Sequence, residues 1–260
     1  MRKIIFNFFL LFFLAHLVTA QTKNLTVAHR GAWDAPKIPE NSIASLKKAI
    51  TLGCKGSEFD VWMTKDSVLV VHHDPDIAGV SIENSNWSEL KKFKLSDGKR
   101  MPTLKEYLKA GKKHKSTQLI LEFKMSKISP ERTRLVGEKC VEMVKKLKAT
   151  SYVDYISFDY DACKRVMELD PNAKVSYVNW KHDREPEQMK SDGFYAVDYH
   201  FKVFKENPGL IQRFKDQGIK LNTWTVNDPE DMKWFIKQGF DYITTDKPGK
   251  LLELLNNTSN

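Results

Sequence analysis

The chain has 260 residues, with 42 Lys and Arg against 33 Asp and Glu, and its formal net charge is +9 at pH 7. This length suits one large α/β domain, and no linker, low-complexity segment or short repeat divides it. A basic chain can bind nucleic acid or a membrane surface. Here the cations are scattered through helix-like stretches, which favours solvated helix faces. A weaker alternative is attraction of anionic substrates.

The N-terminal residues have the pattern of a secretory signal peptide. Arg2 and Lys3 form a basic start, residues 4–18 are almost wholly apolar, and small residues close the stretch. A membrane anchor is the alternative, but the apolar run is short for a span of ~20 residues. We therefore expect residues 1–20 to be removed, residues 21–260 to form one domain, and the mature protein to be secreted or periplasmic.

Strand-like and helix-like runs alternate along the rest of the chain. Most strand-like runs are rich in Val, Ile, Phe and Tyr and end in polar residues, as is typical of buried parallel strands. The predicted strands are Thr26–Arg30, Ser57–Met63, Val68–His73, Gln118–Phe123, Asp154–Phe158, Lys174–Val178, Ala196–His200, Lys220–Val226 and Asp241–Thr245. The predicted helices are Ser42–Leu52, Pro102–Lys113, Pro130–Lys148, Asp161–Leu169, Asn207–Gln217 and Pro229–Lys237. Asn41 is the candidate N-cap of the first helix.

These elements predict a (β/α)8 TIM barrel. Nine strands are one too many, but the short polar turn at residues 64–67 indicates that Val68–His73 folds back as a β-hairpin arm. The irregular segment 76–99 is then a small insertion after the second barrel strand. Active sites of such barrels lie at the C-terminal ends of the strands.

Polar clusters stand at the ends of four strand-like runs. They are His29-Arg30, Glu58-Phe-Asp60, His72-His73-Asp74 and Glu122-Phe-Lys124. Side chains two residues apart on a strand share a face, so both acids of the second cluster point the same way. Three acids, two imidazoles and two cations in one place would suit a hydrolase of phosphate esters.

The same residues carry a family resemblance. In order, the chain resembles the glycerophosphodiester phosphodiesterase family at Ala28-His-Arg-Gly31, Pro39-Glu-Asn-Ser42, Glu58-Phe-Asp60, His73-Asp74, Glu122-Phe-Lys124, Trp224-Thr-Val-Asn227 and Thr245-Asp-Lys-Pro248. The resemblance implies a TIM barrel and metal-dependent hydrolysis of a glycerophosphodiester to sn-glycerol 3-phosphate and an alcohol. The expected partner is thus a small-molecule substrate, with no nucleic acid.

Glu58, Asp60 and Glu122 are the candidate metal ligands. Carboxylates suit hard cations such as Ca²⁺ or Mg²⁺. Acids on a barrel strand can also be structural, held by Arg or Lys. The family resemblance implies metal binding at these positions, with one divalent ion as cofactor.

His29 and His73 are the candidate general acid and base, because histidine changes protonation near neutral pH. The side chain of the neighbouring His72 should face away from that of His73. The family pattern selects the histidine that directly precedes Asp, which is His73. The sequence does not decide which imidazole is the acid.

Arg30 and Lys124 are the candidate phosphate ligands. For Lys124, a salt bridge to Glu122 or Glu58 is an alternative that could coexist. Trp224 resembles the family tryptophan that packs against the alcohol part of the substrate; the alternative is a core tryptophan. Glu40 and Asn41 resemble the first βα loop and are expected mainly to shape it.

Two rival functions remain open at this point. One is a related barrel phospholipase acting on intact phospholipids, which the mostly polar segment 76–99 weakly disfavours. The other is a binding protein for phosphorylated ligands, which would not need an acid/base pair. After His73-Asp74 the chain lacks the Leu and Arg-Thr of many relatives, which leaves the substrate headgroup open.

The cysteines offer no metal-ligand spacing and no CxxC pattern. Cys54, Cys140 and Cys163 cannot all pair within one chain. We expect buried free thiols, although one disulfide would be possible in an oxidising compartment.

Overall fold

Eight parallel strands form a nearly closed barrel in a computed structural model, which describes residues 24–114 and 116–257. The strands of these residues are β1 (Thr26–Ala28), β2 (Gly56–Met63), β3 (Leu69–Val71), β4 (Asp76–Ile77), β5 (Val80–Ser81), β6 (Gln118–Phe123), β7 (Val153–Ser157), β8 (Val175–Asn179), β9 (Ala196–His200), β10 (Lys220–Trp224) and β11 (Ile243–Thr245). The barrel order is β10-β9-β8-β7-β6-β2-β1-β11. Main-chain hydrogen bonds from Tyr242 to Leu221 and from Val226 to Thr244 join β10 to β11. The predicted TIM barrel is confirmed.

Helices fill the connections between the strands. They are α1 (Ile43–Leu52), α2 (Trp87–Leu90), α3 (Leu104–Gly111), α4 (Pro130–Lys146), α5 (Tyr160–Leu169), α6 (Pro186–Ser191), α7 (Phe201–Glu206), α8 (Gly209–Asp216), α9 (Pro229–Lys237) and α10 (Pro248–Asn257). The sequence analysis missed α2, α6, α7 and α10. Three of these have six residues or fewer, too few for a helical repeat to be visible.

The predicted hairpin arm is confirmed, since β3 pairs antiparallel with β2. The insertion that follows is more regular than expected: β4 and β5 form a second small hairpin, and α2 adds one turn of helix. Trp62 of β2 packs with this region in a hydrophobic cluster separate from the main core. This insertion cluster is made of Trp62, Val70, Ile77, Ile82, Leu90 and Met101.

The barrel interior is apolar at its base and polar at its top. Val27, Ile120, Ile156 and Val178, on β1, β6, β7 and β8, form a buried cluster. Gly56 lies in the same layer, where a Cβ atom would come within 2.8 Å of Ile120 Cδ1. The missing side chain therefore lets the interior close below the acidic residues of β2.

Two further expectations can be checked. Cys54, Cys140 and Cys163 are buried free thiols, as predicted. Among residues 24–114 and 116–257, no helix has the length and apolar content needed to cross a membrane. The expected signal peptide lies outside the described residues.

Candidate active site

The structure brings all eight predicted site residues to one cavity of about 370 Å³ at the C-terminal end of the barrel. The predicted residues that line it are His29, Arg30, Glu58, Asp60, His73, Glu122, Lys124 and Trp224. They come from separate strands and their loops, and the parallel arrangement brings these ends together. The convergence expected from the strand ends is therefore present.

Three buried carboxylates form the acidic part of the cavity. Glu58 and Asp60 lie on β2, and Glu122 of β6 is directly opposite Asp60 in the strand pairing. One oxygen from each lies within 4.8 Å of the others. Oε2 of Glu58 accepts a hydrogen bond of 2.7 Å from the Arg30 main-chain N–H, while its Oε1 has no hydrogen-bond partner in the described part of the chain.

The electrostatics of this group fit a bound cation. Burial, together with the charges of Asp60 and Glu122, raises the pKa of Glu58 well above its usual value. Burial likewise raises the pKa of Glu122, although Lys124 opposes the shift. For Asp60, burial is outweighed by Lys124 and His73, so its pKa is lowered. A divalent cation would offset the repulsion and use the unpartnered oxygen of Glu58, so these residues fit Ca²⁺ or Mg²⁺.

Asn41 holds Asp60 in place. Its Nδ2 donates to Asp60 Oδ2 at 2.8 Å, and its Oδ1 accepts from the Asp60 main-chain N–H at 2.9 Å. The prediction that Asn41 caps α1 was wrong, because Ser42 is the N-cap and accepts from the Ser45 N–H. Asn41 instead adopts φ 51°, a left-handed conformation that asparagine tolerates. Its role therefore extends beyond shaping the loop.

Both predicted cations are paired with acids at the cavity. Lys124 Nζ lies 2.7 Å from Glu122 Oε1 and 3.0 Å from Asp60 Oδ1. The salt-bridge alternative thus holds for Glu122, with Asp60 as the second partner. Arg30 Nη1 donates to both carboxylate oxygens of Glu40, at 3.1 and 3.0 Å. Arg30 Nε is buried and makes no hydrogen bond to any described residue.

His29 is oriented by a carboxylate that the sequence analysis did not single out. Its Nδ1 lies 2.7 Å from Asp246 Oδ1. Asn227 fixes Asp246 in turn, with its Nδ2 donating to Oδ2 at 2.7 Å. Asp246 and Asn227 belong to the last two motifs of the resemblance, which was the available signal. An Nδ1–H donated to Asp246 leaves Nε2 of His29 free for proton transfer.

His73 also has a carboxylate partner, since its Nδ1 lies 2.7 Å from Asp74 Oδ1. Burial lowers the pKa of His73; Asp60 opposes this, whereas Lys124 adds to it. His72 does not line the cavity, and its Nε2 lies 3.1 Å from the Asp76 carbonyl oxygen. The structure therefore places His73 and not His72 at the cavity. The predicted reason was wrong, because β3 ends at Val71 and both histidines lie beyond it.

An aromatic wall forms one side of the cavity. The Trp224 ring packs edge-on against Phe158 and Trp180, with centroid distances of 5.5 and 4.4 Å. Trp180 is 62% exposed, so it stands at the mouth. Neither Phe158 nor Trp180 was singled out from the sequence, although each lies at or near the end of a predicted strand.

Known proteins are similar to this chain in sequence and fold. Residues 29–250 match the model of the glycerophosphoryl diester phosphodiesterase family. The chain belongs to this family. A glycerophosphodiester phosphodiesterase of Caldanaerobacter subterraneus subsp. tengcongensis is 31% identical over 247 residues, which cover 90% of this chain and 98% of the relative.

Solved structures of phosphodiesterases agree with the fold. One from Parabacteroides distasonis is 43% identical, with a TM-score of 0.87 and coverage of 91% of this chain and 98% of that one. An Oleispira antarctica phosphodiesterase, solved with its product sn-glycerol-3-phosphate, is 24% identical with a TM-score of 0.78. The match covers 89% of this chain and 96% of the Oleispira chain. The family and the barrel are thus supported across nearly the whole described chain.

Proposed function

We propose that this protein hydrolyses a glycerophosphodiester to sn-glycerol 3-phosphate and an alcohol. The observation that carries the proposal is a single cavity lined by two imidazoles, three carboxylates and two cations. A phosphodiester needs its negative charge offset, a nucleophile activated and a leaving alcohol protonated. The relatives named above as glycerophosphodiester phosphodiesterases support the same reaction.

One Ca²⁺ or Mg²⁺ ion is the cofactor that we propose for Glu58, Asp60 and Glu122. The support is the unpartnered Glu58 oxygen and the raised pKa values of the two glutamates. When bound, the ion would supply positive charge at the phosphate and act as a Lewis acid. Asn41 and Lys124 would keep Asp60 in position for this role.

The side chains of this protein would carry out the proton transfers. One of His29 and His73 takes the proton of the nucleophile, and the other donates a proton to the leaving oxygen. Asp246 and Asp74 fix these rings through Nδ1, so each presents Nε2 to the substrate. Arg30 and Lys124 stabilise the charge that develops on the phosphoryl oxygens. The aromatic wall of Trp224, Phe158 and Trp180 supports the apolar part of the substrate.

A coupled assay for released sn-glycerol 3-phosphate tests this function. The protein is incubated with sn-glycero-3-phosphocholine and related diesters, with and without EDTA. We expect metal-dependent release with at least one headgroup. A protein that binds these diesters without releasing product would be a binding protein, and the hydrolase proposal would be abandoned.

Intact phospholipids are a second candidate substrate class. Met125 and Ile128 follow β6 and Trp180 follows β8, so three exposed apolar side chains stand on loops at the cavity end of the barrel. Such residues could contact acyl chains. The same assay with phospholipid vesicles separates the two classes: release of phosphatidic acid from vesicles, without turnover of water-soluble diesters, would favour this second candidate.

We also propose that the protein is exported after removal of residues 1–20. The support is the basic, apolar and small-residue order of this segment. Intact-mass measurement of the protein outside the cytoplasm tests the proposal, with a mature N-terminus at Gln21 expected. A mass that retains residues 1–20 would indicate an anchored protein.

A further inference from the structure

Asp198 is a buried acid in the cavity to which the mechanism above assigns no task. It lies in the middle of β9, lines the cavity and is 2% exposed. Its Oδ1 is buried without a hydrogen-bond partner among the described residues. An unpartnered buried oxygen costs free energy, so its presence in a binding cavity calls for a ligand group.

Two other buried atoms without a hydrogen bond among the described residues line the same cavity, and the proposed function supplies each with a ligand of opposite charge. They are Glu58 Oε1, which suits a cation, and Arg30 Nε, which suits a phosphate oxygen. The proposed mechanism supplies no such ligand for Asp198. Its buried Oδ1 can bond an alcohol hydroxyl, which both donates and accepts hydrogen bonds, in either protonation state of the carboxyl group.

Asp198 has one apolar and one polar neighbour on the adjacent strands. On one side its strand neighbour is Val178, and on the other it is Asn222. Asn222 Nδ2 donates to Thr244 Oγ1 at 3.0 Å, and Thr244 lines the cavity, whereas Asn222 does not. The cavity thus offers polar atoms of Asp198 and Thr244 beside the apolar side chains of Ile156 and Val178.

We infer that Asp198 binds a hydroxyl group of the glycerol moiety and is a specificity-determining residue for glycerol. The depth of Asp198 in the cavity indicates which end of the substrate it contacts. This step rests on the proposed function. Asp198 is buried at the floor, whereas Trp180 is largely exposed at the mouth. The constant three-carbon group fits the closed floor, while the variable alcohol extends past Trp180 towards solvent.

Product binding tests the inference directly. Dissociation constants of sn-glycerol 3-phosphate and of inorganic phosphate are measured by calorimetry on the metal-loaded protein. Asp198→Ala should weaken sn-glycerol 3-phosphate roughly threefold to tenfold, the usual range for one lost hydrogen bond. Binding of inorganic phosphate should change by less than about twofold. Asp198→Asn should restore much of the loss, because an amide also donates and accepts.

Asp154→Asn is the matched control. Asp154 is another buried barrel acid, but its Oδ1 accepts from Gln118 and it does not line the cavity. This variant should bind both ligands as the unchanged protein does. Equal weakening of both ligands in Asp198→Ala, or of neither, would overturn the inference. Should Asp198→Ala fail to fold, Asp198→Val fills more of the space without a polar atom, and unchanged sn-glycerol 3-phosphate binding there would overturn the inference.

Binding and turnover also separate this inference from the proposed function. An unchanged protein that binds sn-glycerol 3-phosphate but hydrolyses no diester would contradict the function, while the Asp198 comparison would still be decided by binding. Conversely, suppose that the unchanged protein hydrolyses diesters normally and that Asp198→Ala affects the binding of sn-glycerol 3-phosphate and of inorganic phosphate equally. That result would contradict only the inference.

Discussion

His29 Nδ1 lies 2.7 Å from Asp246 Oδ1, although 217 positions separate the two residues in the chain. The contact joins the end of β1 to the residue after β11, the neighbouring barrel strand. Burial opposes the charge of Asp246, but the hydrogen bond and charge of His29 lower its pKa overall. Asp246 is thus ionised at neutral pH and can hold the imidazole in one tautomer.

Asp246→Asn should lower kcat by roughly 10²-fold or more, because the amide no longer selects the His29 tautomer or stabilises its charged form. KM should change much less. Steady-state kinetics measure both constants, and thermal unfolding checks the fold. A folded variant with near-normal kcat would show that Asp246 does not act through His29.

His73→Ala and His72→Ala form a matched pair on adjacent residues. Loss of general acid–base catalysis should lower kcat by about 10²–10⁴-fold for His73→Ala. His72→Ala should have only a small effect on kcat, because that side chain lies outside the cavity. Circular dichroism controls for folding, and a reversed ranking would contradict the assignment. If His73 is the general acid, a substrate with a p-nitrophenol leaving group should restore much of the activity of His73→Ala, because that group leaves without protonation.

The pH profile should report the contact between His73 and Asp74. The hydrogen bond that His73 Nδ1–H donates to the Asp74 carboxylate acts to raise the pKa of His73. Asp74→Asn replaces the carboxylate by a neutral amide and weakens this effect, so the kinetic limb due to His73 should move to lower pH, whether His73 is acid or base. The Asp74 side chain is 67% exposed, so solvent screening should keep the shift below about one unit. Asp76→Asn, two residues further along the chain, is the control; a shift to higher pH would contradict the prediction.

The stimulation of turnover by the metal should require Asp60. Asp60→Asn keeps the shape of the side chain but removes one of three carboxylates, so turnover should be abolished and EDTA should have no further effect. Ca²⁺ or Mg²⁺ should raise the melting temperature of the unchanged protein, since a ligand that binds the folded state stabilises it. The variant should lose this response. Activity that survives both EDTA and the substitution would rule out the metal assignment.

Arg132 should contribute more to stability than its exposed neighbour Arg134. Arg132 bonds the buried Glu83 at 3.1 Å and two carbonyl oxygens at the end of β2. Arg132→Ala would leave Glu83 without its cation, at a cost of about 3–5 kcal/mol in the free energy of unfolding. Arg134 pairs with Glu131 at the surface, so Arg134→Ala should cost at most about 0.5 kcal/mol. Urea unfolding of both variants checks this; equal costs would contradict it.

Most strands could be predicted because buried parallel strands are continuous apolar runs. β6 and β9 have the predicted bounds, and the hairpin arm followed from the turn at residues 64–67. The short helices could not be predicted, because one turn leaves no periodicity. The role of Asn41 was also beyond a local pattern: its bonds to Asp60 depend on the position of β2, not on the helix that follows Asn41.

Site residues that belong to a family motif could be predicted from the sequence. Those that only the fold brings to the cavity could not. Glu58, Asp60 and Glu122 stand in polar clusters at the ends of predicted strands, and the family resemblance implied their metal role. Asp198 carries no motif, and only its burial and unpartnered oxygen distinguish it from an ordinary strand residue. Such a residue becomes visible only once the barrel interior is known.

His73 is carried by an arm outside the barrel, and this has a consequence for inactivation. The Trp62 indole donates to the His73 carbonyl oxygen at 3.0 Å, and Trp62 belongs to the insertion cluster rather than to the main core. A small cluster can open locally at a lower free energy than the whole domain. Gentle heating would then abolish turnover while the barrel still gives a native circular dichroism spectrum. Cooling would restore turnover without refolding of the barrel.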